Sequence, residues 1–240
     1  MGILYIVATP IGNLEDITIR AIRTLFAVDY IACEDTRKTG QLLKTIREKY
    51  SSIVRTIGIK VPKLVSYYDE VEIFKTPEII QLLEENNNVA LVSDAGTPLI
   101  ADPGYKLVSE CIKKGIQVVP ILGPTSFVAA LVSSGLPTNQ ILFLGYLPPK
   151  PVKRRAILTD LHRYIDTSKY FKPTILFFET PHRLHDSLSD IKEVFGDIDI
   201  VIARELTKVY EEIWRGKISE ALNKNFKGEL TVLFPSHPDV

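Results

Sequence analysis

The sequence predicts an α/β protein of two domains, built on mixed, mostly parallel sheets with flanking helices. Three observations lead to that class. Short aliphatic runs such as Val89-Ala90-Leu91-Val92 alternate with amphipathic helical patterns through the first half, the rhythm of βαβ units. Gly123-Pro124 punctuates the chain near its middle and divides it into 1–122 and 123–240, each of small-domain size. Near the end, closely spaced strand patterns suit antiparallel pairing in a mixed sheet.

The elements follow in order. Ile3 to Ala8 reads as the first strand, and Ile17 to Val28 as a helix with Ile19, Ile22, Leu25 and Phe26 on one face. Tyr30 to Cys33 is a short strand and Thr39 to Lys49 a helix. Thr76-Pro77-Glu78 combines an N-cap, a first-turn proline and a first-turn acid, opening a helix to Glu85. Val89 to Ser93 is a buried strand. A helix from Asp102-Pro103 stops at Gly115, and Ile116 to Leu122 is the next strand. Thr125-Ser126 caps a helix from Phe127 to Ser134. Beyond it, Ile141 to Gly145 is a strand, and Tyr146 to Pro151 is too proline-rich for a helix or central strand. Lys153 to Ile165 is a basic amphipathic helix, Thr174 to Phe178 a strand, and Pro181 to Glu193 a helix. Ile198 to Ala203, Glu211 to Arg215 and Glu229 to Phe234 are the last strands, the final two antiparallel-prone.

Composition narrows the function. Hydrophobic residues at 45% and charged residues at 24% are ordinary for a globular chain. Cys33 and Cys111 make no disulfide framework, and the four histidines form no ligand pattern, so no metal is expected. The N-terminus lacks the basic flank of a signal peptide and no apolar run reaches membrane-spanning length, so a cytoplasmic protein is expected. Net charge is formally zero but locally uneven: 150–172 carries seven bases, Lys150, Lys153, Arg154, Arg155, Arg163, Lys169 and Lys172, against Asp160 and Asp166. Such a stretch suits a polyanion, although a solvated helix face has the same composition.

Five loops carry unusual polar content after strands or at helix starts. They are Thr9 to Asp16, Glu34-Asp35-Thr36-Arg37, Ser93-Asp94-Ala95-Gly96-Thr97-Pro98, Gly123-Pro124-Thr125-Ser126, and Glu179-Thr180-Pro181-His182-Arg183. In open α/β sheets, ligands bind outside the carboxyl ends of strands. A carboxylate such as Asp94 beside Gly96 suits a ligand with hydroxyls and a backbone that approaches closely, though an ordinary turn uses the same residue types. The chain has no three-glycine dinucleotide fingerprint and no phosphate-binding GxxxxGK sequence.

Ala8-Thr9-Pro10-Ile11-Gly12-Asn13-Leu14-Glu15-Asp16, Cys33-Glu34-Asp35-Thr36-Arg37 and Val92 to Pro98 resemble the ribosomal RNA small subunit methyltransferase I family, within the tetrapyrrole-methylase superfamily. The resemblance continues through Ala101 to Tyr105, Gly145 to Pro148, Pro181 to Leu184, Ala203 to Lys208 and Lys227 to Glu229, so it covers the chain end to end. It implies a two-domain tetrapyrrole-methylase-like fold with S-adenosylmethionine bound in a cleft between the domains. It implies 2′-O-methylation of a cytidine in the decoding region of 16S ribosomal RNA, carried within the small ribosomal subunit, and a homodimer. Carried over residue by residue, the cofactor positions are Pro10, Asp94, Ala95, Gly96, Thr97, Thr125, Ser126 and Phe178. Expected RNA contacts are Arg37, Lys150, Lys153, Arg154, Arg155 and Arg183, with Arg37 and Arg183 equally suited to pairing with neighbouring acids.

Glu34, Asp35 and Glu179 are candidates, by type and loop position, for the base that takes the ribose proton, and the sequence does not rank them. The chain departs from the family in an apparent insertion at 45–56 before Ile57-Gly58-Ile59-Lys60. It also departs at Tyr68-Asp69, where relatives commonly carry His-Asn, and in a short tail after Phe234. A tetrapyrrole or protein-side-chain methyltransferase is the alternative on one scaffold, and a non-catalytic RNA-binding factor a third.

Overall fold

A computed structural model describes residues 1–56 and 60–237. The chain divides into a unit of Met1–Thr125 and a unit of Ser126–Val240, so Thr125 belongs to the first and Ser126 to the second. Ile57, Gly58 and Ile59, beside the apparent insertion, lie outside the described residues.

In the first unit, β1 (Leu4–Val7), β2 (Tyr30–Cys33), β3 (Lys63–Ser66), β4 (Val89–Val92) and β5 (Val118–Ile121) form one sheet in the order β3-β2-β4-β1-β5. Every pairing is parallel. Period-two alternation fills both faces. Ile31, Cys33, Ala90 and Val92 join a core with Ile22, Leu25 and Phe26 of α1 (Ile19–Ala27), Ile46 of α2 (Thr36–Lys49) and Val54 of α3 (Ser51–Arg55). Ala32, Val89 and Leu91 face the other way, against Ile79, Ile80 and Leu83 of α4 (Glu72–Glu84) and Leu107 and Cys111 of α5 (Tyr105–Lys113).

Three helix starts in this unit lie three or more residues from the sequence expectation. The second helix begins at Thr36 because Asp35 caps it, its Oδ1 accepting the Arg37 N–H at 2.8 Å. The fourth begins at Glu72, leaving Pro77 inside it, and Thr76 donates back to the Glu72 carbonyl at 2.8 Å instead of capping. The fifth begins at Tyr105, because Leu99 and Ala101 take left-handed backbone (φ 72° and 64°) and Gly104 has φ 135°. The Gly104 N–H donates to buried Glu72 at 2.9 Å, fixing the end of that loop.

In the second unit, β6 (Ile141–Tyr146), β7 (Thr174–Glu179), β8 (Asp199–Arg204), β9 (Glu212–Lys217) and β10 (Leu230–Pro235) form a mixed sheet, ordered β6-β7-β10-β8-β9. Only β6–β7 is parallel; β7–β10, β10–β8 and β8–β9 are antiparallel. One face packs on α7 (Pro151–Thr167), α8 (Pro181–Phe195) and α9 (Ile218–Ala221), through residues such as Phe177, Val232, Leu158 and Leu188. The other packs on α6 (Ser126–Ser134) through Leu176, Leu233, Ala130 and Leu131. Among the described residues no helix is long and apolar enough to cross a membrane.

Candidate functional site

Because the first sheet is wholly parallel, the exits of its strands share one edge. Thr9, after β1, and Gly96, after β4, exchange two backbone hydrogen bonds of 2.8 and 3.0 Å, drawing these loops together. Gly96 has φ 82°, and a Cβ there would stand 3.2 Å from Ile11 Cγ2. At the β5 exit a Cβ on Gly123 would lie 2.9 Å from Ala8 Cβ, so the backbones meet where only glycine fits. The Thr97 hydroxyl lies 3.0 Å from the Pro124 carbonyl and 2.6 Å from the Thr125 hydroxyl. Pro10 is half-buried beside this bridge.

Carboxylates gather at the same edge. The Asp94 N–H donates to Glu34 Oε1 at 3.3 Å, and Asp94 Oδ1 accepts the Asp35 N–H at 3.2 Å. Lys38 Nζ donates to Asp94 Oδ2 at 2.6 Å. Burial, chiefly, and then repulsion from Asp102, Asp94 and Asp69 push the Glu34 carboxyl up to about 7, against the pull of the Asp94 N–H. Burial likewise raises Asp102 to about 6, opposed by a hydrogen bond from Ser93. Asp35 behaves oppositely: the Arg37 guanidinium, bonded to it at 2.8 and 3.1 Å, holds it below the usual carboxylate range. Asp102 escapes the sequence reading because Asp-Pro looks like a helix start, and Lys38 because one lysine on a helix carries no motif.

In the second unit, Glu179 ends β7 with a side chain wholly shielded from solvent. Its Oε1 accepts the Thr180 N–H at 2.8 Å and its Oε2 the Ser187 hydroxyl at 2.5 Å. Arg183 donates to the Leu147 carbonyl and its Nε lies 3.5 Å from Glu179. Phe178 meets the Phe143 ring edge-on at 5.0 Å, and Phe127 stacks on Phe143 at 4.9 Å.

The basic helix requires one correction. Lys150, Lys153 and Arg155 are exposed, but Arg154 is not. Its side chain is 2% exposed, with Nε donating to Asp190 at 2.6 Å and Nη1 near the Pro148 and Pro149 carbonyls. Arg154 therefore faces α8 and is removed from the expected RNA contacts, because a residue on the buried side of a helix cannot meet a phosphate.

Comparison with known proteins places this architecture. The model of the Tetrapyrrole (Corrin/Porphyrin) Methylases matches residues 3–222. The chain is 45% identical to the ribosomal RNA small subunit methyltransferase I of Thermotoga maritima, covering 97% of this chain and 98% of that protein. It belongs to the ribosomal RNA small subunit methyltransferase I family of tetrapyrrole methylases. The Escherichia coli O157:H7 member is 43% identical, over 98% of this chain and 78% of its own length. The Halalkalibacterium halodurans member is 45% identical, over 97% of this chain and 75% of its own. A crystal structure of uroporphyrin-III-C-methyltransferase from Thermus thermophilus superposes with a TM-score of 0.63 over 98% of this chain and 94% of that one. At 18% identity it shows the shared fold alone. Family membership makes the chain a methyltransferase enzyme.

Proposed function

We propose that the chain transfers a methyl group from S-adenosylmethionine to small-subunit ribosomal RNA, at the 2′-oxygen of a cytidine ribose in the decoding region. The observation that carries the substrate class is the 43–45% identity, over nearly the whole chain, to proteins bearing that family's name. The strand-exit edge suits the methyl donor. S-adenosylmethionine carries an ammonium, a sulfonium and ribose hydroxyls, and Asp94 can accept hydrogen bonds beyond those from Asp35 and Lys38. Gly96, at φ 82° and with Ile11 Cγ2 only 3.2 Å from where a Cβ would stand, lets the loop carrying Asp94, Ala95 and Thr97 turn tightly at the strand exit. The donor supplies an electrophilic methyl carbon.

The chain's own residues position the reactants and accept a proton. Glu34 is the base we favour: a half-buried carboxyl titrating near 7 is matched to a proton acceptor at neutral pH. Asp35 is committed to capping α2 and to Arg37, and both oxygens of Glu179 are bonded in the interior. Lys150, Lys153 and Arg155 offer exposed cations for RNA phosphates, and exposed Arg37 offers another. Arg183 is left out because the Leu147 carbonyl engages it. We also propose a homodimer, which sedimentation at twice the chain mass would support.

Transfer of labelled methyl from S-adenosylmethionine tests the reading directly. Label is expected in small-subunit ribosomal RNA, with none in large-subunit RNA or a polycarboxylate tetrapyrrole. Label in the tetrapyrrole alone would overturn it.

A further inference from the structure

We propose that Lys38 is a positioning residue of this site: its ammonium fixes the Asp94 carboxylate and sets a balancing positive charge beside Glu34. The inference rests on the reading of Glu34 as the proton acceptor. Its geometry is a cross-tie between two strand exits. Lys38 lies in the first turn of α2, and its Nζ reaches the β4 loop to meet Asp94 Oδ2 at 2.6 Å. The other oxygen of that carboxylate accepts the Asp35 N–H at 3.2 Å, and the Asp94 N–H returns to Glu34 at 3.3 Å. The loop carrying Asp94 is thereby tied to the loop carrying Glu34 through three bonds, one of them from Lys38.

The surrounding charges give that bond a second consequence. Glu34 faces Asp102, Asp94 and Asp69, and Asp102 in turn faces Asp94 and Asp69. Asp35 is held by Arg37, and the buried Cys33 thiol is pushed up by its burial and then by Asp94, Asp35 and Glu34. Lys38 is raised first by its bond to Asp94, with Asp35 and Glu34 adding to it. That attraction is mutual: an ammonium that gains from ionised Glu34 also eases the ionisation of Glu34. Without Lys38, Asp94 would stand uncompensated beside Glu34.

The test follows the Glu34 carboxyl carbon by NMR during a pH titration of the donor-free protein, in the wild type, Lys38→Met and Lys38→Arg. Lys38 is exposed, so each variant should melt near the wild-type temperature. The midpoint is expected to rise by about half a pH unit in Lys38→Met, solvent screening limiting the size, and to return in Lys38→Arg. The acid limb of kcat/KM should move by the same amount, whatever the height of its plateau. An unmoved NMR midpoint would overturn the role of Lys38. A moved midpoint in an enzyme whose wild-type kcat/KM shows no limb near 7 would overturn Glu34 as the base, and with it any place for Lys38 in the reaction.

Discussion

Replacing Arg154 by Met removes a charge that the structure places inside the second unit. The guanidinium is 2% exposed and its partner Asp190 10%, with Nε and Oδ2 2.6 Å apart. Removing one member of a buried pair strands the other, at about 3–5 kcal/mol. Arg155 Nε, 3.7 Å from the second Asp190 oxygen and 45% exposed, offsets part of that loss. The expected destabilisation is therefore about 2–4 kcal/mol. Urea denaturation followed by Trp214 fluorescence reads it in the right place, because the chain's one tryptophan lies on β9 and packs edge-on against Phe226. Pairing Arg154→Met with Asp190→Leu should recover much of the loss, since no charge is then left buried. The salt dependence of RNA binding should not change. A loss under about 1 kcal/mol, as for a surface pair, or a shallower salt slope would refute the placement of Arg154 in the interior.

Other expectations follow from the same geometry. With Glu34 active as the carboxylate and titrating near 7, kcat/KM should rise through pH 7 and level above it; Glu34→Gln should abolish most of the rate, and a retained limb would exclude this group. A carboxyl whose folded value exceeds its unfolded one contributes stability at low pH that is lost as pH rises. Melting temperature should accordingly fall between the ordinary carboxylate range and pH 7, less so in Glu34→Gln. Asp94→Ala should weaken S-adenosylmethionine binding by roughly 1–3 kcal/mol through loss of a charge-assisted hydrogen bond; calorimetry giving unchanged affinity would remove Asp94 from the site. Replacing Lys150, Lys153 and Arg155 by Ala should lower RNA affinity and flatten its salt slope by about two, the value for three phosphate contacts on single strands, with donor affinity intact.

The sequence makes buried strands and the loops that follow them legible. Val89–Val92 is aliphatic throughout because both faces of its sheet are covered, and Asp94 and Gly96 stand out as soon as it ends. Edge and short elements are harder to read. Lys63–Ser66 pairs on one side only and offers just Leu64 and Val65 as apolar residues, while Ile218–Ala221 is a single turn. Side-chain direction is hidden as well. Lys153, Arg154 and Arg155 form one basic run, yet successive helix positions point about 100° apart, so the middle residue turns inward. Nor can sequence rank Glu34, Asp35 and Glu179, since capping and burial decide between them and both depend on residues distant in the chain.

The central claim is a methyl group on a ribose oxygen of small-subunit RNA, and nucleoside mass spectrometry of the purified reaction reads it most directly. Small ribosomal subunits lacking the modification, incubated with enzyme and S-adenosylmethionine and then digested, should yield one new 2′-O-methylcytidine per subunit, mapped to the decoding region. A methyl group on a base, or at a position outside the decoding region, would contradict the account.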